Sequence, residues 1–180
     1  YNRSNKGEVL TCNEETMANL YELTTNMMSK KGFELYEVSN YAKPEACCRH
    51  NLIYWNSQDW LGIGPGAHGR FTIPKNRRWH GQTRRSPEGW FSAIQDNQHG
   101  IDIHNEDNEA EFGREIILMG LRLSSGINMP DWVFEKEKLI NLNWLQQFKE
   151  DNLINLNKNH IKVTSKGRLH LNSIISKLLN

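Results

Sequence analysis

The sequence is poor in cysteine, in long apolar stretches and in net charge. Three of its 180 residues are cysteines, two of them adjacent at positions 47 and 48. This excludes a disulfide framework and favours a reducing cytoplasm. No run approaches the roughly 18 apolar residues of a membrane-spanning helix, and no charged-then-apolar leader opens the chain. With 22 basic and 21 acidic side chains, the balance argues against a globally basic nucleic-acid binder.

Aromatic side chains are plentiful: the chain has six Trp, five Tyr and six Phe, and 37% of it is hydrophobic. A packed core is therefore expected despite a mean hydropathy of -0.71. The length suits one domain, or one domain with part of another.

Periodicity predicts the order of the elements. Helical spacing over 13–31 precedes an alternating strand at 33–38, which together form one repeat of an α/β layer. Residues 39–85 are predicted to be mostly loop, and a helix from Ser86 to Gly100 is expected to bury Trp90, Phe91 and Ile94. The remainder predicts helices at 108–123 and 137–150, a hairpin at 153–163 and a last helix at 165–178. That order is winged-helix-like, and we expect a domain boundary at 104/105.

Two motifs have competing interpretations. Residues 64–69 match G-x-G-x-x-G, but no helix follows and Pro65 removes a backbone donor, so close backbone approach is favoured over dinucleotide binding. Cys47 and Cys48 precede His50. A zinc site and a Cys–His nucleophile are both less favoured than inert thiols, because no further ligand pair or orienting group is evident.

The segment from His50 to Trp55 places directed donors beside large aromatic rings. This suits a planar, partly anionic ligand. The arginines available for its carboxylates are Arg49, Arg70, Arg77 and Arg78. The alternative is a structural one, with Trp55 and Trp60 as core anchors and His50 bonded to backbone. Residues 135–151 are too balanced in charge for a DNA-recognition helix, so a module used for packing or substrate cover is favoured.

Several segments together resemble one family. They are residues 36–44, the H-N-x-x-Y-W run within 48–55, the L-G-I-G-P-G-A-H run at 61–68, and the segments 120–127 and 164–169. They are similar to the HemW-type branch of the oxygen-independent coproporphyrinogen III oxidase family of radical S-adenosylmethionine (SAM) proteins. The resemblance runs from about residue 11 to the end of the chain.

The resemblance implies an α/β fold: the C-terminal end of a partial (β/α)6 barrel over residues 1–104, then a small winged-helix-like α+β domain over 105–180. It also implies a [4Fe–4S] cluster and SAM in the full-length protein. The family's C-x-x-x-C-x-x-C cluster motif does not occur in these 180 residues. We therefore expect the N-terminal barrel half to be missing and this portion not to be catalytic alone.

Site residues are implied in the same way. The SAM-facing segment would be Ile63, Gly64, Pro65 and Gly66, whose glycines permit close backbone approach. His50 and Asn51 would face haem or porphyrin, with Tyr54 and Trp55 as stacking surface. For His50, axial ligation of the iron and a structural hydrogen-bonding role both stay open.

The function that the resemblance implies is that of a cytoplasmic haem chaperone, which binds haem and passes it to respiratory haemoproteins. The alternative is a coproporphyrinogen III oxidase, which decarboxylates propionates; the H-N-x-x-Y-W run argues against it. A third possibility is an interaction module that docks a partner or a membrane surface. No nucleic-acid partner and no membrane span are expected.

Overall fold

The computed structural model describes residues 12–135 and 139–179. Its contacts divide the chain into two units, residues 1–47 and 48–180. The elements of the first unit are α1 (Glu14–Lys30), β1 (Glu34–Glu37) and β2 (Asn40–Ala42). The predicted helix and strand are confirmed to within one residue at each end, and β2 pairs with β1 in antiparallel fashion.

Helix α1 has well-defined ends. The Asn13 side chain accepts a hydrogen bond from the Thr16 amide at 2.8 Å, and Gly32 adopts φ +76° just beyond the last turn. The apolar stripe of this helix stays exposed within its own unit, and no residue of α1 is buried. Its most exposed members are Met17, Leu20, Leu23 and Met27.

The second unit contains the remaining elements. They are α2 (Arg49–Trp55), β3 (His68–Ile73), β4 (Arg77–Thr83), α3 (Pro87–Asn97), β5 (Ile101–Asp107), α4 (Glu109–Gly120), β6 (Ile127–Asn128), α5 (Asp131–Glu135), α6 (Leu142–Glu150), β7 (Ile154–Asn157), β8 (His160–Val163), α7 (Ser165–Arg168) and α8 (Leu171–Leu178). The mixed α/β class is confirmed, and none of the sheets closes into a barrel within the described ranges. The predicted boundary at 104/105 stays a prediction; strand β5 runs across it.

The prediction that 39–85 is mostly loop is wrong. The segment contains β2, α2 and the β3–β4 hairpin, and β4 also pairs with β5. Cross-strand register pairs Arg70 with His80 and Thr72 with Arg78, so these polar side chains share the face that lies beside α4. The strands were missed because the buried position on this face is Arg78 rather than an apolar residue.

Helix α3 lies where it was predicted, and Ser86 caps it through the Gly89 amide at 3.0 Å. Its predicted burial is only partly right. Phe91 is 58% exposed, Trp90 and Ile94 are half-buried, and Ala93 is the residue of this helix that is buried. The ring of Trp90 lies over Gly100, where an added Cβ would be 2.3 Å from it.

The C-terminal segment forms the winged-helix-like order that was predicted, with the hairpin confirmed as β7 and β8. A short strand that periodicity missed, β6, adds to the sheet in the order β6-β8-β7. Residues from every element of this segment except α7 form the main core. Its most deeply buried apolar members are Ile117, Leu121, Val133, Leu139, Ile154, Ile161, Val163, Ile174 and Leu178.

Three helix boundaries differ from prediction. The helix expected at 108–123 ends at Gly120, which packs directly against Ile127 and admits no side chain. The helix expected at 137–150 begins at Leu142 behind its cap Asn141; positions 136–138 lie outside the described residues. The helix expected at 165–178 is two helices, α7 and α8, separated by the exposed Leu169 and His170.

A fully buried guanidinium joins α2, the β3–β4–β5 sheet and α4. Arg78 has no exposed surface. It donates to the Ser57 carbonyl at 2.8 Å and the Gln58 carbonyl at 2.7 Å, and its Nε lies 3.5 Å from a carboxylate oxygen of Glu115 on α4. Burial lowers the pKa of Arg78, and the charges of Glu115 and Asp59 oppose that shift. The guanidinium therefore stays charged, because the ordinary pKa is so high.

We predict that Arg78→Met destabilises the chain by about 3–5 kcal/mol, because it leaves the Ser57 and Gln58 carbonyls without their donor and Glu115 with Arg70 as its remaining partner. The free energy of unfolding in urea measures this. The matched control is Arg77→Met on the opposite face, where an exposed ion pair with Glu106 is lost and a change of about 1 kcal/mol or less is expected. Equal losses in the two variants would contradict the role given to Arg78.

Candidate functional site

The H-N-x-x-Y-W run lies on α2, a short helix of seven residues. His50 and Tyr54 are four residues apart and therefore share a face. The Nε2 atom of His50 is hydrogen-bonded to the Tyr54 hydroxyl at 3.0 Å, and the two rings meet edge to face with centroids 4.7 Å apart. His50 is exposed, so its ring is held in place while it remains accessible to a ligand.

A second aromatic contact leads from α2 to the sheet. Tyr54 meets Trp60 edge to face at 4.7 Å. Trp60 forms a two-way backbone bridge with Arg70 at the edge of β3, with both N–H···O distances at 2.9 Å. A continuous row of His50, Tyr54 and Trp60 therefore ends on the sheet.

The structure does not gather all the sequence-predicted aromatic residues in this row. Trp55 lies beneath the Arg122 guanidinium, 5.7 Å from it, rather than in ring contact with His50 or Tyr54. Asn51 is half-buried on the same helix. Trp60, which the sequence suggested only as a core anchor, is the ring that extends the row. The sequence holds no signal for this, since the contact depends on how α2 meets β3.

The glycine-rich loop before β3 is shaped by close backbone approach, as the sequence predicts. An added Cβ on Gly62 would lie 2.2 Å from the His68 carbonyl oxygen. At the outer end of the loop, Gly64 adopts φ +100° with open space around it, and Ile63 is 81% exposed. The loop thus offers accessible backbone and an apolar side chain, which fits a ligand that approaches the main chain.

One hydroxyl secures that loop to the end of β4. Thr83 Oγ1 donates to the Gly64 carbonyl at 2.6 Å and accepts from the Ala67 amide at 2.9 Å. The Gly66 amide donates to the Arg84 carbonyl at 2.8 Å. Sequence reasoning missed Thr83, because a single threonine near a strand end carries no distinguishing pattern.

The cysteines do not fit an iron–sulfur cluster. Cys12 and Cys48 are exposed and Cys47 is half-buried. Across residues 12–135 and 139–179, no group of three or more His, Cys, Asp or Glu side chains is suited to hold a metal ion. A haem differs in needing only one axial side chain from this face, and the exposed His50 fits that requirement.

The chain is similar to several known proteins. Residues 108–170 match the family model described as the HemN C-terminal domain. The chain is 31% identical over 179 residues to the mitochondrial "Radical S-adenosyl methionine domain-containing protein 1" of Bos taurus, covering 92% of this chain and 40% of that protein. It is 30% identical over 189 residues to "Heme chaperone HemW" of Mycobacterium tuberculosis, covering 98% of this chain and 43% of that protein.

A solved structure has the same fold. It is the coproporphyrinogen III oxidase (HemN) of Escherichia coli, described as a radical SAM enzyme, with a TM-score of 0.62 over 88% of this chain and 40% of that one. Its identity to this chain is 15%. The chain is thus similar to the C-terminal part of HemW-type proteins of the HemN-like radical SAM family.

The chain spans about 40% of the length of these two curated relatives, in their C-terminal part. The domain match begins at residue 108, directly after β5. The row from His50 to Trp60 and the glycine loop therefore lie outside the matched domain. Within the described part of the chain, no helix has the length and apolar character needed to cross a bilayer.

We predict that Thr83→Val loosens the glycine loop, because it removes both hydrogen bonds of the Thr83 hydroxyl while nearly keeping the shape of the side chain. Amide hydrogen exchange at Gly66 and Ala67 should accelerate by roughly tenfold, as expected for the loss of about one net hydrogen bond. Thr83→Ser keeps the hydroxyl and should exchange like the parent. Unchanged exchange in the valine variant would show that Thr83 does not secure the loop.

Proposed function

We propose that this chain is the haem-binding portion of a HemW-type haem chaperone. The single observation that supports this best is the exposed His50, whose ring is hydrogen-bonded to Tyr54 at one end of an aromatic row. Haem is a flat, largely apolar ring that needs an axial ligand and stacking surface, and this row offers both. The relative from Mycobacterium tuberculosis is named a haem chaperone.

His50 is the proposed axial ligand. A histidine that binds a metal through one ring nitrogen is as a rule hydrogen-bonded through the other, which fixes the ring and raises its basicity. The Tyr54 hydroxyl, 3.0 Å from Nε2, is such a partner. Asn51 and Trp55 flank the ligand on the same helix in this proposal. Trp60 extends the stacking surface.

The full-length protein is proposed to carry a [4Fe–4S] cluster and SAM, as family membership implies. The residues described here do not fit the cluster, so its ligands would come from the rest of the protein. The segment Ile63, Gly64, Pro65 and Gly66 is the proposed approach to SAM, supported by the open backbone at Gly64. Residues 1–104 would then complete a barrel, with 105–180 as the C-terminal domain.

The proposed partners are the N-terminal barrel half and the respiratory haemoproteins that accept haem, in the cytoplasm. Coproporphyrinogen III oxidation is less favoured, because the H-N-x-x-Y-W run and the relatives named haem chaperones favour haem binding. The solved HemN structure shares the fold, but its sequence identity to this chain is 15%. Identity at that level does not support the same activity. Turnover of coproporphyrinogen by the full-length protein would overturn the chaperone proposal.

The test is a haem titration of the 180-residue chain, followed by the Soret band. We predict saturable binding that weakens by about tenfold in Tyr54→Phe, which loses the hydrogen bond to the ligand, and by more in His50→Ala. His99→Ala is the matched control, since His99 is also exposed but lies beyond α3. No binding by the parent chain, or equal binding by His50→Ala, would contradict the proposal.

A further inference from the structure

The four arginines that the sequence offered for ligand carboxylates differ sharply in their surroundings. Arg78 is buried and bonded to backbone carbonyls. Arg77 is paired with Glu106 at 2.7 Å on the opposite face of the sheet. Arg49 is an exposed residue at the start of α2. Arg70 is different, since it is partly exposed and lies at the end of the aromatic row.

Arg70 is held in place on two sides. Its Nε lies 3.4 Å from a carboxylate oxygen of Glu115, and its side chain is 29% exposed. The centre of its guanidinium is 5.7 Å from the Trp60 ring, the backbone neighbour with which it forms the bridge. A guanidinium positioned in this way loses little further freedom when it binds an anion.

Arg70 and His50 are placed so that a single ligand could contact both. Successive steps of 4.7, 4.7 and 5.7 Å lead from the His50 ring through Tyr54 and Trp60 to the Arg70 guanidinium. Cross-strand register places His80 beside Arg70 on the same face. A macrocycle bound at His50 and lying along this row would bring its rim to Arg70.

Arg70 has one carboxylate partner, Glu115, at 3.4 Å, and Glu115 also pairs with Arg78 at 3.5 Å. The other carboxylates of this face lie against other groups, Asp59 against Arg78 at 3.6 Å and Asp107 against His80 at 3.0 Å. Within the described residues, the terminal nitrogens of Arg70 have no hydrogen-bond partner. They are free to donate a bidentate pair to a carboxylate, the geometry for which a guanidinium is best suited.

We propose that Arg70 binds a propionate carboxylate at the rim of the haem or porphyrin. This inference rests on the proposed function, since it assigns the polar end of the same site. It also accounts for a charged arginine at the end of an aromatic row, where a purely apolar ligand would need none. Arg70 is thereby a specificity residue that distinguishes carboxylated macrocycles from esterified ones.

The test compares two probes, haem and haem dimethyl ester, titrated into the 180-residue chain and followed by the Soret band in the same mild detergent. The variants are Arg70→Gln and Arg70→Lys, with Arg77→Gln as the matched arginine on the opposite face. We expect Arg70→Gln to weaken haem binding by roughly tenfold, the loss of one charge-assisted bidentate contact. The affinity of Arg70→Gln for the ester should hardly differ from that of the parent chain. The haem affinity of Arg70→Lys should lie between those of Arg70→Gln and the parent chain.

Each outcome decides between the proposals. Equal haem affinity in the parent chain and Arg70→Gln overturns the role of Arg70 while leaving the haem site intact. Equal weakening of haem and its ester also overturns that role, because the loss is then structural rather than a lost carboxylate contact. Failure of the parent chain to bind either probe overturns the proposed function itself, and the Arg70 assignment with it.

Discussion

The arrangement of the second unit depends on one buried charge, the guanidinium of Arg78. Its hydrogen bonds to the Ser57 and Gln58 carbonyls attach the end of α2 to β4, and its ion pair with Glu115 attaches β4 to α4. An apolar side chain at position 78 would fill space but would not fix the direction in which these segments meet. Because hydrogen bonds are directional, Arg78 sets the angle at which α2 presents His50 next to the sheet. The geometry of the candidate site is a consequence of that constraint.

The same constraint leaves the sheet with an unusual polar face. Where α4 covers it, the charges of Arg78 and Glu115 compensate each other, at the cost of desolvating both groups. Beyond α4 the face continues to Arg70 and His80 and becomes partly exposed. One end of the row is thus aromatic and the other cationic, which matches a flat macrocycle with carboxylates on its rim. The glycine loop, held by Thr83 at the end of β4, leads directly into β3 and leaves open space around Gly64.

Sequence reasoning succeeded where burial follows apolar periodicity. The C-terminal helices, the β7–β8 hairpin and the positions of α1 and α3 were predicted from such patterns. It failed in 39–85, where the buried position of a strand is an arginine. It also missed β5 at 101–107, which is exposed along most of its length. Within the site, the pairing of His50 with Tyr54 follows from helical spacing. The contacts of Trp60 and Arg70 are tertiary, and no local pattern predicts them.

The proposed site places haem along the row from His50 to Arg70. Amide NMR of the chain with ferric haem detects this placement, because the paramagnetic iron broadens signals according to distance. Signals from α2, Trp60, Arg70 and His80 should be lost selectively, with those of α8 retained. Loss of signals centred instead on His160, which lines a cleft of ≈ 460 Å³ with Phe112 and Asn128, would show that haem binds elsewhere. Uniform broadening across the chain would show that it has no single site on this row.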